Sequence, residues 1–279
     1  LAYVSKVKNL IRENELNTIC TSGNCPNKGE CWNAGTASFM IMGSKCTRNC
    51  RFCYVENLIP DPLDWEEPGR LADTIQTLQL KHAVITSVDR DDLKDGGSII
   101  WIETIKAIRR MNPTTTLETL IPDFQGIERN IDRIVEANPE VVSHNIETVR
   151  RLTREVRIQA KYDKSLEVLR YLKEKGINRT KSGIMLGLGE TEEEVFQTMK
   201  DLRQANVDVV TIGQYLQPTL KHHRVDRFIT PEEFLSYEKA AKGKGFLMVS
   251  ATPLTRSSYH AGDHFEKLRK VRLSNRELA

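Results

Sequence analysis

A chain of 279 residues, 39% hydrophobic and 28% charged, can bury a sizeable core without covalent staples. Its net charge of +3 is too small to argue for a nucleic-acid partner. No apolar run approaches a membrane span and no basic-then-apolar signal opens the sequence, so a cytoplasmic, reducing setting is expected, with no membrane partner.

Residues 1–35 read as an N-terminal extension carrying Cys20, Cys25 and Cys31, spaced C-x4-C-x5-C. A strand is predicted over Phe39–Gly43, and the loop after it carries Cys46, Cys50 and Cys53, spaced C-x3-C-x2-C. Further β-branched runs predict strands at Ala83–Val88, Thr115–Ile121, Val141–Ile146, Ser182–Leu188 and Val209–Tyr215. Helical faces are predicted between them from Ile99, Ile102, Ile105 and Ile108, from Ile127, Ile131, Ile134 and Val135, and from Leu166, Leu169 and Leu172. Glu190 to Gln204 reads as an acidic-fronted helix, and Pro231 opens another that runs to about Lys242. The end, Lys267 to Ala279, reads as a charged, peripheral helix. About six βα units imply an α/β fold, a partial (β/α)6 barrel over residues 36–250, with 251–279 as a C-terminal extension. A doubly wound sheet is the competing architecture, and both put the active site at the carboxyl ends of the strands.

All six cysteines fall within thirty-four residues, as two triplets. A disulfide framework belongs to short secreted chains and would leave most of this fold unstapled. Structural zinc usually takes four ligands as two pairs, and only Cys50 and Cys53 form a C-x2-C pair. Two triads of soft ligands, each one thiolate short of four, point instead to two iron–sulfur centres. The loop Cys46–Cys53, with Phe52 before its last cysteine, resembles that of radical S-adenosylmethionine enzymes. Such a loop can hold three corners of a [4Fe–4S] cube and leave the fourth iron for S-adenosylmethionine. For the first triad, spacing alone leaves the fourth ligand open among His, Asp, Glu, Ser or water.

Over residues 17 to 262 the chain resembles the lipoyl synthase family. The stretches that carry the resemblance are Cys20-x4-Cys25-x5-Cys31, Thr86–Gly97 (TSVDRDDLKDGG), Ser143–Val149 (SHNIETV), Thr180–Thr191 (TKSGIMLGLGET), Gly213–Pro218 (GQYLQP) and Arg256–Ala261 (RSSYHA). The resemblance implies two [4Fe–4S] clusters and S-adenosylmethionine. Cys46, Cys50 and Cys53 would hold the radical-generating cluster, and Cys20, Cys25, Cys31 and Ser258 the auxiliary one, with Ser257 the second choice. It implies insertion of two sulfur atoms, drawn from the auxiliary cluster, at carbons 6 and 8 of a protein-bound octanoyl-lysine chain. Implied partners are an octanoylated lipoyl carrier domain or glycine-cleavage H protein, an electron donor such as ferredoxin or flavodoxin, and an iron–sulfur carrier for cluster repair. Phe52, Asn145, Glu147, Lys181 and Gln214 are the candidate cofactor contacts. Tyr54 and Ala251 depart from the family pattern without touching a ligand. Asp89, Arg90, Asp91, Asp92 and Asp95 read either as a solvated loop or as part of the barrel mouth. His222 and His223 sit in a basic loop and are not expected to bind metal.

Overall fold

The structure, a computed structural model, describes residues 2–34 and 36–277. Ten strands follow in chain order: β1 (Asn17–Thr18), β2 (Ser38–Ile41), β3 (Lys45–Cys46), β4 (Glu56–Asn57), β5 (His82–Ser87), β6 (Thr116–Leu120), β7 (Val141–Ser143), β8 (Thr180–Leu186), β9 (Val209–Gln214) and β10 (Met248–Ala251). The helices are α1 (Ala2–Glu13), α2 (Ile19–Ser22), α3 (Lys28–Asn33), α4 (Glu67–Leu78), α5 (Ser98–Met111), α6 (Glu128–Ala137), α7 (Arg150–Val156), α8 (Tyr162–Glu174), α9 (Glu192–Gln204), α10 (Pro231–Gly243) and α11 (Ala261–Glu277).

The main sheet runs β1-β2-β5-β6-β7-β8-β9-β10. Every pair in it is parallel except β1 with β2. A helix crosses over between each pair of consecutive parallel strands, because parallel neighbours cannot be joined by a tight turn. The strands are buried on both faces, so they read as apolar runs rather than as alternation; all six residues of β9 are buried. The sheet wraps around a cavity, since Met40, Thr86, Leu120, Gly183 and Thr211, from β2, β5, β6, β8 and β9, all face it. This is the open barrel read from the six predicted strands, each found within a few residues of its expected bounds. A seventh parallel strand, β10, was missed; Val249 is its only β-branched residue, so no β-branched run marks it.

The helix faces need two corrections, the simpler being that Ile127, expected on the face of α6, precedes that helix as its N-cap and is exposed. Ile105 and Ile108 are buried, but Ile99 is 39% exposed and Ile102 half-buried. A step of three residues turns 300°, so an every-third ridge winds around the helix, and Ile99 and Ile108 point in opposite directions. The buried face of α5 is completed by Ile100, Trp101 and Thr104. In α8, Leu166, Leu169 and Leu172 are all buried as expected. Helix α9 starts at Glu192 behind a capping box of Thr191 and Glu194, and α10 behind one of Thr230 and Glu233. Helix α11 begins six residues before the predicted Lys267 and is not peripheral: Leu268 is buried and Phe265 stacks on His82 of β5 at 5.5 Å. Residues 278 and 279 lie outside the described residues.

Candidate active site

The second cysteine triplet sits in a loop closed at its base. Cys46 ends β3, which pairs with β4, and Asn57 Nδ2 donates to the Cys46 carbonyl at 3.0 Å. Inside the loop, Arg48 is buried and reaches three carboxylates. Its Nε and Nη2 fork onto Asp91 at 2.7 and 2.9 Å, its Nη1 and Nη2 onto Asp123 at 3.0 and 2.7 Å, and Asp89 stands 3.3 Å away. Burial alone would lower the Arg48 pKa, but the bonds to Asp91 and Asp123 outweigh it and raise it. Burial likewise pushes Asp123 up, and Arg48 overrides that to hold it at about 2. The loop is tied to the barrel rim elsewhere. Arg51 N–H donates to the Val156 carbonyl at 2.9 Å, and His223 N–H to the Arg51 carbonyl at 2.8 Å. His222 Nε2 lies 3.0 Å from the Cys53 carbonyl, so both histidines support the loop through its backbone.

The first triplet lies on the short helices α2 and α3 and the turn between them. The chain's end returns to it. Buried Asn27 donates from Nδ2 to the Leu254 carbonyl at 2.7 Å, and Tyr259 Oη donates to Glu30 at 3.0 Å, contacts spanning 227 and 229 residues. Between these two clamps lie Ser257 and Ser258.

One cavity of about 490 Å³ joins the two regions. Cys20, Cys25, Cys46, Cys50, Cys53, Ser257 and Ser258 all line it, and Cys31 stands behind, half-buried beside Cys20 and Cys25. All six cysteines are free thiols. Burial, then the neighbouring Cys20 and Cys25, pushes Cys31 up to about 12, and burial also takes Cys53 to about 12. Burial raises Cys25, Cys46 and Cys50 as well. Crowded buried thiols are costly to ionise unless a cation compensates, which is what a metal centre supplies. Donors already face the sulfur of Cys46: the N–H groups of Arg48 and Asp89, at 3.5 and 3.3 Å. Among the described residues, no three His, Cys, Asp or Glu side chains converge as a single ion requires. In a [4Fe–4S] cube each thiolate bonds a different iron, so its ligands stand apart.

Of the predicted cofactor contacts, Phe52, Asn145, Glu147 and Gln214 line the cavity. Asn145 Nδ2 donates to Glu147 at 3.0 Å, while its Oδ1 is buried with no protein partner. Glu147 takes φ of 65°, a left-handed backbone that turns its side chain out of the strand line. Gln214 is occupied by protein: its Oε1 accepts from Ile229 N–H at 2.9 Å and its Nε2 donates to the Tyr215 and Arg227 carbonyls. Lys181 does not face the cavity. It has the same parity along β8 as Gly183 and Met185, which line the cavity, but it lies at the start of the strand, and its Nζ is 2.8 Å from Glu118 in a buried polar pair below the site. The glycine-rich turn at Gly187 is also internal. The Glu190 carboxylate accepts from Gly187 and Leu188 N–H at 2.6 and 2.9 Å, and a Cβ at Gly187 would collide with Gln214 and the Arg227 carbonyl.

The sequence reading passed over Arg48, Arg157 and Arg256. Arg157 is buried, lines the cavity and donates to the Ile146 carbonyl at 3.0 Å, and its charge acts on Cys50 and Glu147. No spacing rule marks such residues, since each acts through groups far away in sequence. The acidic run divides: Asp89 and Asp91 belong to the Arg48 network, Asp92 pairs with Arg90, and Asp95 accepts from the first N–H groups of α5.

The open parallel barrel with three cysteines after its first core strand defines a class. The family model of the Radical SAM superfamily matches residues 40–202. Solved structures agree on the fold: the FeFe-hydrogenase maturase HydG from Carboxydothermus hydrogenoformans superposes with a TM-score of 0.63 at 16% identity, covering 95% of this chain and 68% of that one. Methylornithine synthase gives a TM-score of 0.57 at 14% identity, covering 78% of this chain and 72% of that one. Among curated relatives, the lipoyl synthase of Flavobacterium johnsoniae is 73% identical over 260 residues, 93% of this chain and 90% of its own length. The mitochondrial lipoyl synthase of Nematostella vectensis is 66% identical over 260 residues, 93% and 89% of the two chains. This chain belongs to the lipoyl synthase family of the Radical SAM superfamily. Membership implies S-adenosylmethionine and [4Fe–4S] clusters, and the two sets of buried thiols, with the orphaned Asn145 Oδ1 between them and the barrel wall, fit that demand.

Proposed function

We propose that this chain inserts two sulfur atoms, at carbons 6 and 8, into an octanoyl chain held in amide linkage to a lysine of a carrier protein. The observation that carries the reading is a single cavity reached by both cysteine triads. When bound, the cluster on Cys46, Cys50 and Cys53 with S-adenosylmethionine supplies a 5′-deoxyadenosyl radical, and the auxiliary cluster on Cys20, Cys25, Cys31 and Ser258 supplies the sulfur. The protein's part is to hold, orient and shield. Arg48 and its three carboxylates fix the loop that presents the first three thiolates. Asn145, Glu147 and Phe52 offer polar and aromatic contacts to S-adenosylmethionine, with Arg157 facing them. Met40, Val88, Leu120, Ile121 and Ile184 give the cavity an apolar wall that suits an acyl chain and keeps water from a reactive carbon. Ser258 offers a hydroxyl, a harder and weaker partner for iron than a thiolate, which suits a centre that must open.

Three parts divide the work in this reading: residues 1–35 and 251–279 build the auxiliary site, and 36–250 the radical barrel. The carrier would be an octanoylated lipoyl domain or a glycine-cleavage H protein. Ferredoxin or flavodoxin would supply electrons, and an iron–sulfur carrier would rebuild the auxiliary cluster, in the cytoplasm. No helix among the described residues is long and apolar enough to cross a membrane. Anaerobic turnover of an octanoyl-lysine peptide, followed by mass, tests the reading. Gains of one and then two sulfur atoms are expected, with matching loss of protein sulfide. An octanoyl product without sulfur, or auxiliary sulfide that survives turnover intact, would overturn it.

A further inference from the structure

Arg256 stands directly before the two serines and enters the cavity. Its Nη1 donates to the Thr255 carbonyl at 2.7 Å and reaches that of Pro253 at 3.4 Å, so the guanidinium is tied to its own loop by carbonyls rather than by carboxylates. Arg48, by contrast, is matched by three carboxylates. The charge of Arg256 is felt in two parts of the cavity: by Cys25 of the first triad and by Glu147 beside the second. Room for it is reserved. A Cβ on Gly213 would lie 3.1 Å from Nη1 and would collide with the Thr255 carbonyl. Its loop is clamped on either side by Asn27 and by Glu30, the neighbours of Cys25 and Cys31.

A partly buried cation whose hydrogen bonds go to neutral carbonyls is costly unless negative charge meets it. Glu147 supplies part of that charge, and the thiolates of the first triad, two of which line the same cavity as Arg256, would supply more. We propose that Arg256 is a positioning residue whose charge offsets that of the auxiliary centre and holds its reduction potential up, with Gly213 leaving room for the Thr255 carbonyl that holds its guanidinium. The inference rests on the two-cluster reading given above. A cation beside a cluster favours the reduced, more negative state, so its removal makes reduction harder.

The test uses the full-length chain, reconstituted anaerobically with iron and sulfide, in two backgrounds. One lacks the radical triad (Cys46→Ala, Cys50→Ala, Cys53→Ala) and the other lacks the auxiliary triad (Cys20→Ala, Cys25→Ala, Cys31→Ala). Arg256→Gln and Arg256→Lys are compared in each by iron content and by potentiometric titration followed by electron paramagnetic resonance. In the first background, Arg256→Gln is expected to shift the potential to more negative values, and Arg256→Lys to return most of the way to the unmodified value. In the second background the shift should be smaller. If Arg256→Gln fails to keep the auxiliary iron, retention by Arg256→Lys supports the charge role and loss in both variants overturns it. An unchanged potential, or an equal shift in both backgrounds, also overturns it. If the unmodified chain holds only one cluster, the two-cluster reading itself fails, which a null result on Arg256 alone does not imply.

Discussion

The two cysteine triads are built in opposite ways. Cys46, Cys50 and Cys53 share one short loop, closed by the β3–β4 pair and stiffened from within by a buried arginine and its carboxylates. Cys20 and Cys31 sit on two helices of four and six residues with Cys25 in the turn between them, and a segment more than two hundred residues away folds back against them. The first is a cradle fixed by the protein's own strand pairing and ion pairs. The second is held by a few hydrogen bonds at the join, among them one from Tyr259 to Glu30 that is open to solvent. A cradle that is used in every cycle benefits from rigidity. A site that gives up its contents benefits from one weak wall, and in the proposed reading the serine-bearing segment would be that wall.

The largest expected effects separate the two triads by product. Cys50→Ala should abolish formation of 5′-deoxyadenosine and of sulfur-containing product together. Cys25→Ala should abolish sulfur insertion while 5′-deoxyadenosine is still formed. Each variant should retain about four of about eight irons per chain, as two [4Fe–4S] centres require. Nucleoside and peptide products measured in one anaerobic assay decide it; loss of both products in Cys25→Ala would break the division of labour. Next in size is Arg48→Ala. It strands Asp123, which is 4% exposed, with Asp89 and Asp91 beside it, and should cost about 3–5 kcal/mol. Denaturant unfolding reads the loss, and the iron missing from the chain should be that of the radical centre.

How much of this was legible before the fold was known follows the same division. The radical loop is local, so its cysteines, their spacing and the strand ahead of them could be read directly. The barrel was legible because six core strands carry β-branched runs and several of the helices between them carry an apolar face. Strand β10 was not, because Val249 is its only β-branched residue. Ser258 could be named only through family resemblance, since a serine pair in a loop looks like a turn or a cap. Lys181 was placed near the cofactor on alternation along β8, and its parity does match the cavity-lining Gly183 and Met185, but alternation says nothing of depth, and at the start of the strand it pairs with Glu118 instead. Arg48, Arg157 and Arg256 were invisible because a charged residue is marked as functional by what surrounds it, and the loops that surround each of these come together only in the fold.

A third effect is pH-dependent. His144, buried between the Ile121 carbonyl and Ser165 Oγ at 2.9 Å each, is pushed down to about 4 by burial first and by Arg157 second. The unfolded chain titrates this ring near the ordinary 6.5 and so binds more protons below that pH. The stability from keeping it neutral is therefore complete above about 6.5 and is lost as pH falls towards about 4, roughly 2 kcal/mol between pH 7 and 5. Asp89, raised to about 6 by burial, works in the opposite direction over an overlapping range. Comparison with His144→Gln cancels that contribution, since Asp89 is common to both chains. Denaturant midpoints at the two pH values should fall more in the unmodified chain; equal falls would place the acid sensitivity elsewhere.

The smallest effect tests the weak wall directly. Asn27→Ala removes one hydrogen bond, to the Leu254 carbonyl, and should cost only about 1 kcal/mol of global stability. Leu254 is 48% exposed, so water can replace the lost donor and no buried carbonyl is left unpaired. The consequence for the auxiliary centre should be out of proportion to that energy. The bond spans 227 residues and is one of two that return the serine segment to the cysteine helices, so its loss lets Ser258 move away at little cost to the barrel. A chelator should then strip auxiliary iron from Asn27→Ala severalfold faster than from the unmodified chain, while the radical centre, held by Arg48, loses iron at an unchanged rate. Equal acceleration at both centres would mean that the segment seals the whole cavity and does not act as the wall of one site.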